Sequence, residues 1–249
     1  MTAEQAPGGL GEPGRPSEPD MLPAPGEPRP DRTSTNLLRL GRDPGTGRIR
    51  HGSALDIGLR AGLFADLALA GGVVSVNGAP RAVDIGPTGD RFADAVRAAV
   101  AARPGVAWPR WYRHVHTDRT AMINELLTQQ RWTKRPGLLA RYDDADQAGA
   151  IELGERAASV AAIRREPRDA REVALAILSV LCGTQGGLPR PRAMKDELRP
   201  LLDDVGDPDD PEDPVRRTVQ HALFSAASTI RRVRRGGGPS KRPLSRTIE

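Results

Sequence analysis

HGSALDIGLRAGLFADLALAGGVVSVNG, residues 51–78, is the run whose reading decides the fold. Ser53 reads as an N-cap, with Asp56 at the third helical position in a variant of the capping box. Leu55, Leu59, Leu63 and Leu67 recur at every fourth residue with Phe64 beside them, so the spacing predicts one helix, core-facing along that stripe, through Ala70. Gly71-Gly72 ends it. Val73, Val74 and Val76 then lead into Asn77-Gly78, a strong type I′ hairpin signal, with Val83 and Ile85 assigned to the returning strand. Thr46-Gly47-Arg48 forms a turn before the run, and Pro87-Thr88-Gly89-Asp90 starts a second helix after it.

Outward from this centre the pattern stays helical. Leu37, Leu38 and Leu40 make a short apolar lead-in, closed by the turn Asp43-Pro44-Gly45. Phe92, Val96 and Val100 share one face of a helix over 91–102. A third begins near Thr117–Asp118 and buries Met122, Ile123 and Leu126, and Leu138–Tyr142 is expected to form a short strand or wing. Helices are expected over 146–165, after the cap Asp169, over 192–203 (Met194, Leu198, Leu201), and from Asp213-Pro214 through Val233. The 36–235 body is expected to be a single compact, mainly α domain with one or two small β-hairpins. Residues 1–35 carry eight of the 23 prolines and no aromatic side chain, too little apolar surface to offset ordering entropy. They are expected to be a disordered tail, and 236–249, which opens on Gly236-Gly237-Gly238-Pro239, a second, basic one.

Composition narrows the class. Of 249 residues, 38% are hydrophobic and only 3% aromatic, so the core must be built of Leu, Val, Ile and Ala, which favours helices over a sandwich. Cys182 is the only cysteine, which excludes an intrachain disulfide and a thiolate metal cluster; within an apolar run it reads as a buried, inert thiol. No run approaches the roughly 18 apolar residues of a membrane span, and no apolar leader is visible, so a cytoplasmic protein that meets membranes from the surface is expected. The net charge of +5 is unevenly placed. Residues 231–249 hold seven basic side chains and one acid, leaving the body near neutral. The cationic character is a C-terminal appendage.

GSALDIGLRAGLFADLALAG followed shortly by PTGD, together with the Asp118–Trp132 helix and its wing, resembles the Golgi phosphoprotein 3 family over nearly all of 36–235. Bacterial members of that family are common in actinobacteria. The resemblance implies a non-catalytic adaptor without a cofactor, bound peripherally to the inner face of the plasma membrane through phosphatidylinositol 4-phosphate or a similar anionic lipid. In the family an aromatic residue before the first helix, an arginine within it and two arginines at the start of a later helix hold the head group. Residue by residue, these positions match His51, Arg60, His116 and Arg119. Arg60 and Arg119 keep the family residue; His51 and His116 depart from it, and Arg113 stands close enough to take the place of His116 if the loop shifts. The chemistry is coherent: a phosphomonoester carries about −1.5 to −2 charges, and a guanidinium offers a planar fork to its oxygens. By analogy with eukaryotic relatives, the cytosolic tail of a membrane enzyme is a further partner.

Other readings of the same residues stand beside this one. Arg60 also fits a solvated helix residue paired with Asp56 one turn earlier. His114 and His116 alternate like metal ligands, yet no carboxylate or thiol completes a zinc set. The helix near 117–131 and its wing resemble a winged-helix reader, but the near-neutral body lacks the basic face of a nucleic-acid module, and nucleic acid is not the expected partner. No nucleophile elbow, phosphate loop, zinc-protease or dinucleotide motif is present. The Arg231–Arg246 segment reads either as a solubilising end or as a polybasic anchor for an anionic leaflet.

Overall fold

The computed structural model describes residues 32–49, 52–113, 116–162, 169–184 and 213–235, with the backbone alone at 116–118. The expected helix over 192–203 lies outside the described residues, as do His51, His114 and the terminal segments 1–31 and 236–249. The described residues contain eight helices and two small antiparallel hairpins: α1 (Thr33–Leu40), α2 (Gly52–Leu69), β1 (Val73–Val76), β2 (Ala79–Ala82), α3 (Arg91–Ala101), α4 (Trp108–Trp111), α5 (His116–Thr128), β3 (Trp132–Lys134), β4 (Tyr142–Asp144), α6 (Gln147–Ala161), α7 (Ala170–Cys182) and α8 (Pro214–Arg234). This is the mainly α domain the sequence implied.

The centre of the domain is α2, packed by α8, α1, α7, α3 and α5. A helix enclosed this way must be apolar on every side. Between Ala54 and Ala68 only Arg60 is not buried. Gly58 and Gly62 let two neighbours approach its backbone: a Cβ at 62 would stand 2.9 Å from the Ser34 nitrogen of α1, and one at 58 would strike Cys182 Sγ of α7. The helix stops in a Schellman turn, with Gly71 at φ 71°, Gly72 N–H on Leu67 O and Gly71 N–H on Ala68 O. Phe64, fully buried on α2, centres an aromatic cluster: it stands edge-on to Trp108 with centroids 4.9 Å apart and close to Trp111 and Tyr112.

Several local expectations change. Leu37, Leu38 and Leu40 belong to a helix, α1, which begins at Thr33, inside the segment assigned to the N-terminal tail; the Thr33 N–H and hydroxyl both donate to the buried Asp66. α2 starts at Gly52, which places Ser53 inside the first turn instead of capping it. The Asn77-Gly78 turn is present with φ 51° and 74°, but the returning strand is Ala79–Ala82. Val83 closes the hairpin base on Gly72 O, after which the chain leaves for α3 and Ile85 stands exposed. The wing is built of Trp132–Lys134 paired with Tyr142–Asp144, not of Leu138–Tyr142. Trp132 stacks on Tyr142 and donates Nε1–H to Asp144, which Arg39 of α1 holds at 2.9 Å, so the hairpin's root is anchored and Leu138-Leu139 fall in its tip.

Candidate functional site

The first turns of α2 and α5 meet. Arg119, in the first turn of α5, extends its guanidinium to α2, where Nη1 lies 3.3 Å from Asp56 Oδ1 and 3.4 Å from the Gly52 carbonyl oxygen. Asp56 is buried (1% exposed) and Arg119 remains 30% exposed, so the guanidinium meets protein through Nη1 without being enclosed. That combination is what an anion-binding arginine needs: positional restraint without complete neutralisation.

Arg60 stands four residues after Asp56 and therefore on the same side of α2, about 6 Å further along its axis. It is half-buried, the one residue between Ala54 and Ala68 that is not buried. Its charge acts on the phenol of Tyr112, partly opposing the burial that drives that group's pKa well above its ordinary value. The Tyr112 hydroxyl donates to Ala222 O of α8, 2.9 Å away, which fixes the ring beside α2. Arg60 and the Arg119 guanidinium, from separate parts of the sequence, thus come to one side of α2, where Asp56 is a counter-charge of Arg119. His116 opens α5 at the backbone, its side chain lying outside the described residues with His51. Arg113, the alternative to His116, is exposed just after α4.

Two further features went unread in the sequence. Leu138 and Leu139 are 106% and 53% exposed at the tip of the β3–β4 hairpin, in the segment Lys134-Arg135-Pro136-Gly137-Leu138-Leu139-Ala140-Arg141. Two adjacent leucines after a Pro-Gly turn and between cations were the available signal. The hairpin root is tied to the chain that leads into α2: Tyr142 N–H donates to Gly47 O, five residues before Gly52. The second feature is Asp56, which serves as the counter-charge of Arg119.

Cys182 is chemically quiet. Burial pushes its thiol up to about 12, and Sγ–H donates to Ala54 O at 3.3 Å. Among the described residues no group of three or more His, Cys, Asp or Glu side chains is arranged to hold a metal ion, and no helix is long and apolar enough to cross a membrane.

The family model for Golgi phosphoprotein 3 (GPP34) matches residues 35–226, from α1 to the middle of α8. No curated protein matches the chain.

Proposed function

The chain belongs to the Golgi phosphoprotein 3 family, and from that premise we propose that it is a non-catalytic, peripheral membrane adaptor whose Arg60 and Arg119 receive the phosphate of an anionic phosphoinositide-like head group. The observation that carries this reading is the placement of Arg119: a half-exposed guanidinium pinned to Asp56 and Gly52, on the side of α2 that also bears Arg60. Two forks there offer charge-assisted hydrogen bonds to a phosphomonoester at no further cost in ordering Arg119. His51 and His116 are proposed as further donors to the same head group.

The β3–β4 tip supports the membrane half of the proposal. Leaving Leu138 fully in water is costly unless something apolar receives it; burying a leucine side chain is worth about 1.5–3 kcal/mol. Cations flank the leucines, the arrangement that suits the boundary between acyl chains and anionic head groups. A single head group binds weakly, so head-group capture and tip insertion would act together as linked contacts. The inner face of the plasma membrane is the proposed location, and the cytosolic tail of a membrane enzyme the proposed protein client. The winged-helix alternative is less well served, because residues 1–230 are close to electrically neutral and offer no basic face for a nucleic acid.

Flotation with phosphatidylcholine vesicles carrying phosphatidylinositol 4-phosphate, phosphatidylinositol or phosphatidylglycerol tests the reading. The wild-type protein should float with the phosphorylated lipid, and Arg60→Ala/Arg119→Ala should lose most of that recovery. Equal recovery of the two proteins with every lipid would contradict it.

A further inference from the structure

The last turn of α8 and its C-cap carry Arg231, Arg232, Arg234 and Arg235, and no acidic residue occurs anywhere from Pro214 to Arg235. Cations at a helix C-terminus complement its dipole, but that effect is confined to the last turn and does not call for four of them. Ser228, Arg231, Arg232 and Arg235 recur at helical spacing and line a shallow surface hollow of about 390 Å³. Arg231, Arg232 and Arg235 are exposed there. Arg231 Nε–H bonds to Ala227 O, which holds the base of the hollow, and no carboxylate pairs with these three among the described residues. All of them fall beyond residue 226, where the family match ends.

Their position matters more than their number. Arg234 Nη2 donates to Cys182 O at 2.9 Å, and Cys182 Sγ donates to Ala54 O, in the first turn of α2. Two residues earlier, Gly52 O receives Arg119. The C-terminal end of α8 is thereby joined, through one residue of α7, to the end of α2 where Arg119 sits. A cationic face without internal counter-charges stands at the same end of the helix stack as the candidate head-group site.

We propose that the Arg231–Arg232–Arg235 face of α8 is a second, electrostatic docking surface for an anionic lipid bilayer, touching the same leaflet as the Arg119 end of α2. The inference rests on the membrane reading but not on the identity of the head group bound at Arg60 and Arg119. Charge complementarity selects the occupant: a leaflet presents many negative head groups in a plane, and each Lys or Arg held near such a surface raises partitioning about fivefold. The contact weakens steeply with salt because these side chains are solvated and the screening length is only about 10 Å at 0.1 M ionic strength.

The test uses the full chain and compares wild type, Arg231→Gln/Arg232→Gln/Arg235→Gln and Arg60→Ala/Arg119→Ala by vesicle co-sedimentation. Arg234 is left in place because it bonds Cys182 O. On phosphatidylcholine–phosphatidylglycerol vesicles at low salt, the triple variant should partition at least about tenfold more weakly than wild type. Its salt dependence should be shallower. On neutral vesicles doped with phosphatidylinositol 4-phosphate, Arg60→Ala/Arg119→Ala should suffer the larger loss, and a failure confined to that arm contradicts the head-group site alone. Unchanged partitioning of the triple variant on phosphatidylglycerol would overturn the proposal, as would wild-type protein that binds neither vesicle or binds uncharged vesicles equally well. A triple variant that loses duplex DNA binding while keeping phosphatidylglycerol binding would assign the face to nucleic acid instead.

Discussion

Arg119 Nη1 stands 3.3 Å from Oδ1 of Asp56, which is 1% exposed, so the ion pair joins a buried carboxylate on α2 to a half-exposed guanidinium on α5. Removing the guanidinium takes a counter-charge from a poorly solvated carboxylate, whereas removing both groups does not. Arg119→Ala should therefore cost about 2 kcal/mol of stability. Adding Asp56→Asn should recover part of that loss, with a coupling of about 1 kcal/mol or more in a urea double-mutant cycle. Strict additivity would mean that the pair holds no energy.

Asp66 gives a pH signature of its own. Burial raises its carboxyl from the usual 3.8 to about 6, against the lowering effect of Thr33 hydrogen bonds and of Arg171. The folded state thus keeps the proton when the unfolded chain has released it, and stability falls as pH rises from about 4 to about 6 and stays lower above. The size is at most about 3 kcal/mol. Asp66→Asn should remove this loss: its urea midpoint relative to wild type should climb across the window, and parallel profiles would contradict the assignment.

Gly58 and Cys182 share one space. A Cβ at 58 would overlap Cys182 Sγ and lie 2.9 Å from Leu37 Cδ2. Gly58→Ala gains about 1 kcal/mol in helix propensity but forces overpacking worth about 1–3 kcal/mol, so a net loss is expected. Cys182→Ala in the Gly58→Ala background should restore stability, though the same change costs stability in the wild type. With the thiol pushed up to about 12 and enclosed, a disulfide reagent at pH 8 should label Cys182 only after unfolding. Rapid labelling of folded protein would refute that.

What was legible in the sequence is what local chemistry decides. The Leu55–Leu67 spacing, Gly71-Gly72, Asn77-Gly78 and the Asp90, Asp169 and Asp213 caps are each set within a few residues, and the corresponding elements are present. Elements fixed by distant partners were misread. α1 is a helix because Asp66, thirty-three residues on, receives the first residue's N–H and hydroxyl. The wing strands lie where Trp132, Asp144 and Arg39 lock together, a long-range constraint that no alternation within Leu138–Tyr142 encodes. At the site, the family pattern pointed to Arg60 and Arg119, but the role of Asp56 as the counter-charge of Arg119 needed α5 to be placed against α2.

Leu138 and Leu139 make no buried contact that the fold requires. Leu138→Ser/Leu139→Ser should change the urea midpoint by no more than about 0.5 kcal/mol equivalent, as expected of exposed positions. Vesicle partitioning should drop by roughly tenfold or more if the tip enters the acyl boundary. A variant with unchanged partitioning would leave the hairpin tip without a role in membrane binding.

Calorimetric titration with a soluble short-chain phosphatidylinositol 4-phosphate, run beside its unphosphorylated parent, isolates the head group from bilayer charge and from insertion. Wild-type protein should prefer the phosphorylated lipid by about tenfold or more, since charge-assisted bonds to a phosphate contribute about 1.5–3 kcal/mol each. Arg60→Ala/Arg119→Ala should bind both lipids alike. A double variant that keeps the wild-type preference would contradict the claim that these two arginines form the head-group site.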